Sequence, residues 1–346
     1  MNTRTWKFAS VVFGWLKREI YWAFLPVLLI GALWCSGAFF HAFDASPAIA
    51  VIAVFALWML LLLSVFIRRA ALAVLILELA TLAAFFSITP QQRFRDTVWQ
   101  KPWRKTLEVK KLADGRYELR NVRDFHYRSE DDFDVAYRTV IVDPKQISSI
   151  DAVFSHWDNL EEIAHSMLGL NFADGTTVVI SLETRLPEGE EQNALDGFYR
   201  RYALAMIAGT PEDLYGLRAD HRGETLYIYR LRADDARMRR MTVSLFEHAE
   251  KLQKHPEYYN SLFRNCTTGL RPMLQNMGGK KRNDLRVIFN GMADSLLFER
   301  QLIFCREGES FGSIRARSLV PGICRGKNAP PARYEGESET RWVRER

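Results

Sequence analysis

Residues 164–185 read AHSMLGLNFADGTTVVISLETR, and this stretch decides the architecture of the chain. Ser166 to Phe172 is an apolar run of strand length. It runs into Ala173-Asp174-Gly175-Thr176, and Val178-Val179-Ile180-Ser181-Leu182-Glu183 returns. Asp-Gly between two β-rich runs is the strongest short-range signal for a β-hairpin. His165 stands at the mouth of the first strand. With a tight turn at Asp174-Gly175 it lies opposite Glu183, Thr184 or Arg185.

A histidine beside a carboxylate on the neighbouring strand is what a thiol nucleophile needs, because the imidazole takes the thiol proton and the carboxylate orients it. The candidate thiol is in Tyr258-Tyr259-Asn260-Ser261-Leu262-Phe263-Arg264-Asn265-Cys266-Thr267-Thr268-Gly269-Leu270. Thr267-Thr268 can begin a helix that continues through Leu270. Cys266 would then sit at a helix N-terminus, where unpaired N–H groups and the positive end of the dipole favour thiolate. Asn265 and Thr267 would add donors beside it. The reading is therefore a catalytic set of Cys266, His165 and Glu183, with Ser181 or Arg185 as other holders of the third place.

Outward from this pair, the hydrophobicity is concentrated at the N-terminal end. Residues 21–43, 47–67 and 70–89 are three apolar runs, each near the roughly 20 residues that cross a bilayer as a helix. A cleaved signal peptide explains one such run at most. Arg4, Lys7, Lys17 and Arg18 precede the first run, and Arg68 and Arg69 fill the second turn. That charge pattern places the N-terminus and second turn in the cytoplasm and everything after Thr89 on the far side. Arg93, Arg95, Lys101, Arg104 and Lys105 pull the other way. Glu78 falls in the middle of the third run and reads as a protonated carboxyl packed between helices.

From about Arg93 the 346-residue chain turns polar. Residues 93–105 read as a juxtamembrane linker. Short alternating runs at 107–109, 117–122 and 139–142 read as strands, as does 225–231, while 191–208 and 241–254 carry helical spacing. The domains expected are a three-helix anchor over 1–92, an extracytoplasmic domain over 93–324 and a disordered tail over 325–346. The fold class is α+β preceded by an all-α bundle of transmembrane helices. The remaining histidines have no zincin spacing and the cysteines do not cluster, so no metal and no cofactor is expected. The net charge of +6 fits anionic lipid headgroups better than nucleic acid. Cys305 and Cys324 could pair in an oxidising compartment.

The stretch from about Asn121 to Arg271 resembles the Lnb N-terminal periplasmic domain family. The pieces that carry the resemblance are Asn121-Val122-Arg123-Asp124-Phe125, Ser155-x-Trp157 with Ala164-His165, and Phe172-x-Asp174-Gly175. Ser181-x-Glu183-Thr184-Arg185, Gly197-Phe198-Tyr199-Arg200, Arg222-Gly223-Glu224 and Asn265-Cys266-Thr267-Thr268 continue it. The resemblance implies a permuted papain-like (NlpC/P60-related) fold and a Cys–His catalyst with Cys266 and His165 in those roles. It also implies an acyltransferase that moves a fatty acyl chain from phospholipid to the N-terminal amine of a lipoprotein, at the periplasmic side of a bacterial inner membrane. The chain departs from that pattern in placing its membrane helices before the catalytic domain. A cysteine peptidase or amidase of the cell envelope, and an idle membrane-tethered binding module, are the competing expectations.

Overall fold

The structure, a computed structural model, describes residues 3–43, 46–157, 161, 163–261, 264 and 290–320. Two compact units divide them: residues 1–95 with 193–201, and residues 96–192 with 202–346.

The first unit is helical. Helices α1 (Thr3–His41), α2 (Pro47–Phe66) and α3 (Arg68–Ser87) follow one another, with a short α4 (Pro90–Arg93) behind. Among the described residues, Tyr21–His41, Pro47–Phe66 and Arg68–Ser87 are long and apolar enough to cross a membrane. Ser46 caps α2 and Pro47 opens it, where a missing N–H costs nothing. Leu28, Ala32 and Cys35 of α1 form a seam with Leu57, Leu61 and Val74. Their spacing follows one stripe of a helix. The opposite faces expose large apolar side chains such as Phe24, Ile30 and Phe66, the arrangement stable where the surroundings are lipid. Tyr21 pairs with Ser64 (3.1 Å) inside, and Trp58 Nε1 donates to Ser36 Oγ (2.9 Å) at the surface. Glu78 is buried, and a Cβ on Gly31 would lie 2.5 Å from its carboxylate.

The segment Asn193–Arg201 also belongs to this unit. Its short helix is α5 (Ala194–Phe198), which in chain order falls between two strands of the second unit.

The second unit is built on β1 (Glu108–Lys111), β2 (Tyr117–Arg123), the two-residue strands β3 (His126–Tyr127) and β4 (Phe133–Asp134), and β5 (Tyr137–Val142). Then come β6 (Ile147–His156), β7 (Ala164–Phe172), β8 (Thr177–Arg185), β9 (Ala203–Gly209), α6 (Pro211–Gly216), β10 (Thr225–Arg230) and α7 (Asp235–Lys254). Among the described residues the main sheet has eight strands in the order β1-β2-β9-β8-β7-β6-β10, with β5 on β2. β7 and β8 are the expected hairpin, with Gly175 at φ +86° in its turn, a left-handed conformation open to glycine. The fold is mixed α and β, with three apolar helices ahead of a sheet-rich domain, as the α+β reading required.

Side-chain alternation gives the sheet two covered faces. On one, Ile150, Ala152, Phe154, Leu168, Leu170, Ile180, Leu182 and Met206 pack against Met241, Leu245, Phe246 and Ala249 of α7. On the other, Val153, Met167, Val179, Ala205 and Ile207 meet Leu214, Tyr215 and Ala219 in and after α6.

Two expectations need correction. The helix expected over 191–208 is a short helix followed by a strand. α5 ends at Phe198, Arg200 takes a left-handed φ of +61°, and Ala203–Gly209 is buried along its whole length between β8 and β2. Alanine, leucine and methionine favour helices, but a continuous apolar run that fits between two strands is placed by packing rather than propensity. Residues 93–105 are no free linker. Gln100 N donates to Leu186 O (3.1 Å), and Trp99 bridges to Pro187. β6, which pairs β7 along its length, lay outside the strands expected.

Candidate active site

The face of the sheet opposite α7 carries the candidate site. The ladder pairs Met167 with Ser181. His165 and Glu183, two residues further along each strand, therefore project from that same face. His165 Nε2 lies 2.6 Å from Ser181 Oγ, and Ser181 Oγ donates to Glu183 Oε1 at 2.9 Å. The direct separation of His165 Nε2 and Glu183 Oε1 is 3.7 Å. Ser181 is fully buried, and the His165 side chain is 16% exposed.

The carboxylate is held from two further sides. Trp103 Nε1 donates to Glu183 Oε2 (2.6 Å), and Arg218 Nη2 donates to Oε1 (3.0 Å). Burial alone would favour the neutral acid, but Arg218, with His165, Arg123 and the Trp103 hydrogen bond, outweighs it and holds Glu183 well below the usual carboxylate range. Burial pushes the His165 imidazole down to about 3, reinforced by Arg218 and Arg222 and opposed by Glu183.

With Glu183 ionised, these bonds select one tautomer. An ionised carboxylate only accepts, so the one hydroxyl proton of Ser181 goes to Glu183. Ser181 Oγ then accepts from His165 Nε2–H. The neutral imidazole carries its lone pair on Nδ1, the nitrogen able to take a proton from a nucleophile.

Arg218 reaches Glu183 from a π-helical stretch, Leu217–His221, directly after α6. α6 is itself pinned by a buried ion pair, Asp213 with Arg123 (2.6 Å), whose side chains are 0% and 2% exposed. Asp213 also accepts from the backbone of Phe125 (2.8 Å), and Arg123 donates to Pro102 O (3.2 Å). A small cavity of about 30 Å³ is lined by Trp103, Arg123, Tyr127, Glu183 and Arg218. Arg222 and Glu130 also line it and pair with each other (2.7 Å), and Glu224 accepts from Ser155 Oγ.

Of the residues expected at the site, His165, Ser181 and Glu183 meet. Arg185 does not join them, which corrects it as a holder of the third place. Its guanidinium donates to the carbonyls of Trp103 and Arg104 (2.9 Å each) and lies 4.3 Å from the Trp99 ring. Trp157 follows β6 and is half-buried. Cys266, Asn265 and Thr267 lie outside the described residues, as do Cys324 and the tail. Cys305 is a free thiol. Tyr258 and Tyr259, which precede Cys266 in sequence, lie along the start of β9, where Tyr258 bridges to Ala203 and Tyr259 N donates to Tyr202 O (2.9 Å). Ala203 pairs with Arg185, so this is the end of the sheet that carries Glu183. Asn260 and Arg264 then exchange backbone bonds of 3.1 and 3.0 Å, two residues before Cys266.

Sequence reasoning missed Trp103 and Arg218. Trp103 stood in an apparent linker. Arg218 stands among Leu214, Tyr215, Leu217 and Ala219, and an arginine inside so apolar a run was the available signal.

Residues 133–291 match the Lnb N-terminal periplasmic domain family. No curated protein and no solved structure matches the chain. With the three apolar helices, the match makes this a membrane-associated protein with a periplasmic domain.

Proposed function

With the family match over residues 133–291 as premise, we propose that this chain is a cysteine acyltransferase of the bacterial inner membrane. It would carry a fatty acyl group from phospholipid to the N-terminal amine of a lipoprotein. The observation that supports it best is the His165–Ser181–Glu183 chain, which leaves Nδ1 as the base. The permuted papain-like arrangement that the resemblance implies would bring Cys266 to that nitrogen.

His165 Nδ1 takes the Cys266 thiol proton, and the thiolate attacks an ester carbonyl of the phospholipid. Backbone N–H groups at the start of the helix that the sequence leads one to expect after Cys266 would stabilise the oxyanion. The intermediate collapses with loss of the lysophospholipid oxygen, which receives the proton from imidazolium. The acyl thioester is attacked by the amine, His165 takes the amine proton, and collapse returns the thiol. The lipid-facing helices support a substrate that lives in the bilayer.

The test is mass spectrometry of the detergent-purified protein after incubation with phospholipid. A hydroxylamine-labile acyl adduct on Cys266, absent in Cys266→Ser, is expected. His165→Ala is expected to slow adduct formation by about 10²–10⁴-fold, the range for loss of a general base. An alkylatable, activated Cys266 that never acquires lipid acyl would replace acyl transfer by peptide or amide hydrolysis. Acyl transfer retained in Cys266→Ala would overturn the mechanism.

A further inference from the structure

We propose that Arg218 is a positioning residue that decides which nitrogen of His165 is the base, by keeping Glu183 an anion behind Ser181. The inference rests on the Cys266–His165 chemistry above and concerns the direction of its hydrogen-bond chain. That chain can run either way. With Glu183 ionised, Ser181 must donate to it and accept from Nε2–H, which leaves Nδ1 basic. With Glu183 protonated, the acid could donate to Ser181, Ser181 would donate to Nε2, and the ring proton would move to Nδ1. The imidazole would then present a donor to the thiol and could not take its proton.

Glu183 is 8% exposed, an environment that disfavours charge. Arg218 is the opposing cation, itself 5% exposed, with Nη2 on Glu183 Oε1 (3.0 Å) and Nη1 on Leu214 O (3.0 Å). The second bond ties the guanidinium to the backbone of α6 as well as to Glu183. The π-helical turn in which it stands inserts one residue relative to α geometry, and such insertions re-aim a side chain. The other charged groups are Arg222, which acts on the imidazole and is paired with Glu130 and Glu224, and Arg123, which acts on Glu183 and is paired with Asp213. Among the described residues Glu183 is paired with Arg218 at 3.0 Å and with His165 at 3.7 Å, and of the two only the guanidinium is charged at every working pH.

The experiment is a long-range ¹H–¹⁵N spectrum of the full chain in detergent, ¹⁵N-labelled at histidine, with His165 assigned by its loss in His165→Gln. Wild type is expected to show neutral His165 at pH 7 with the proton on Nε2. In Arg218→Gln the Nδ1–H form should appear and the titration midpoint should rise by about one pH unit, the size of a nearby-charge effect. Arg218→Lys should restore Nε2–H. An Nδ1–H ring in wild type overturns the proposal whatever the variants do. So does an unchanged tautomer and midpoint in a folded Arg218→Gln. Iodoacetamide kinetics on Cys266 separate the two layers. If His165→Ala leaves alkylation unchanged, the catalytic reading falls, while the spectrum still judges the Arg218 clamp.

Discussion

His165 ties acid sensitivity of the fold to the site. Its ordinary pKa near 6.5 is pushed down to about 3 by burial and by Arg218. An unfolded chain therefore binds a proton that the folded chain refuses between these values. Stability falls on acidification through that window, by up to about 1.4 kcal/mol per pH unit for one proton. Glu183 is depressed from an ordinary value of 4.5, so its contribution is complete above 4.5 and lost only below it. Between pH 6.5 and 4.5 the slope due to this pair thus belongs to His165. Chemical denaturation across that range is expected to be flatter for His165→Gln than for wild type. The Arg123–Asp213 pair makes a second case. Arg123→Met would strand a carboxylate that is 0% exposed, with an expected loss of about 3–5 kcal/mol in denaturant titrations. His165 and Glu183 were legible because a hairpin signal fixes which residues face each other. Arg218 and Trp103 were not, since each reaches Glu183 from 35 and 80 positions away and no local pattern encodes such contacts.

At the scale of elements, α7 and β9 show opposite limits of sequence reading. The helix expected over 241–254 is there and begins six residues earlier, and its apolar stripe Met238, Met241, Leu245, Phe246, Ala249, Leu252 repeats with helical period and is buried. Phe246→Ala should cost about 3–5 kcal/mol, measurable as a lower denaturation midpoint, because Phe246 is fully buried against Tyr117 and the sheet. β9 has no period to read: every residue from Ala203 to Gly209 is buried, so helix and strand look alike in one dimension. The β8–β9 connection carries the other element that the pattern concealed. Asn193 caps α5, Asp196 Oδ1 lies 2.7 Å from His41 Nδ1, and Tyr199 donates to Trp34 O (3.1 Å) with its ring stacked on His41. A Cβ on Gly37 would fall 2.0 Å from the Tyr199 hydroxyl. Gly37→Val should therefore displace α5 from α1, seen as faster proteolysis around residues 193–201 at unchanged α7 protection.

For the whole molecule, the apolar runs at 21–43, 47–67 and 70–89 were legible from composition alone, and a periodicity argument was unnecessary. The periodic strands and the family resemblance were likewise readable, while the placement of Asn193–Arg201 among the helices was not, because it depends on packing between segments more than 150 residues apart. Topology is open to direct measurement. Ala173→Cys, at the exposed hairpin tip, should react with a membrane-impermeant maleimide in cells whose outer membrane has been permeabilised. Labelling that appears only after lysis would contradict a periplasmic domain.

The same nine-residue segment bears on whether this protein is modular. Chain connectivity inserts it between the strand holding Glu183 and the central strand beside it, yet its Tyr199 side chain is covered by Trp34, His41 and Phe85. A shortened polypeptide beginning after the helices would keep every strand and lose that cover, leaving aromatic surface exposed within the loop joining its two middle strands. Such a fragment is expected to self-associate at micromolar concentration where the full chain in detergent stays dispersed. Evolutionary exchange of the helical anchor for another would meet the same obstacle: the graft must come with a matching loop.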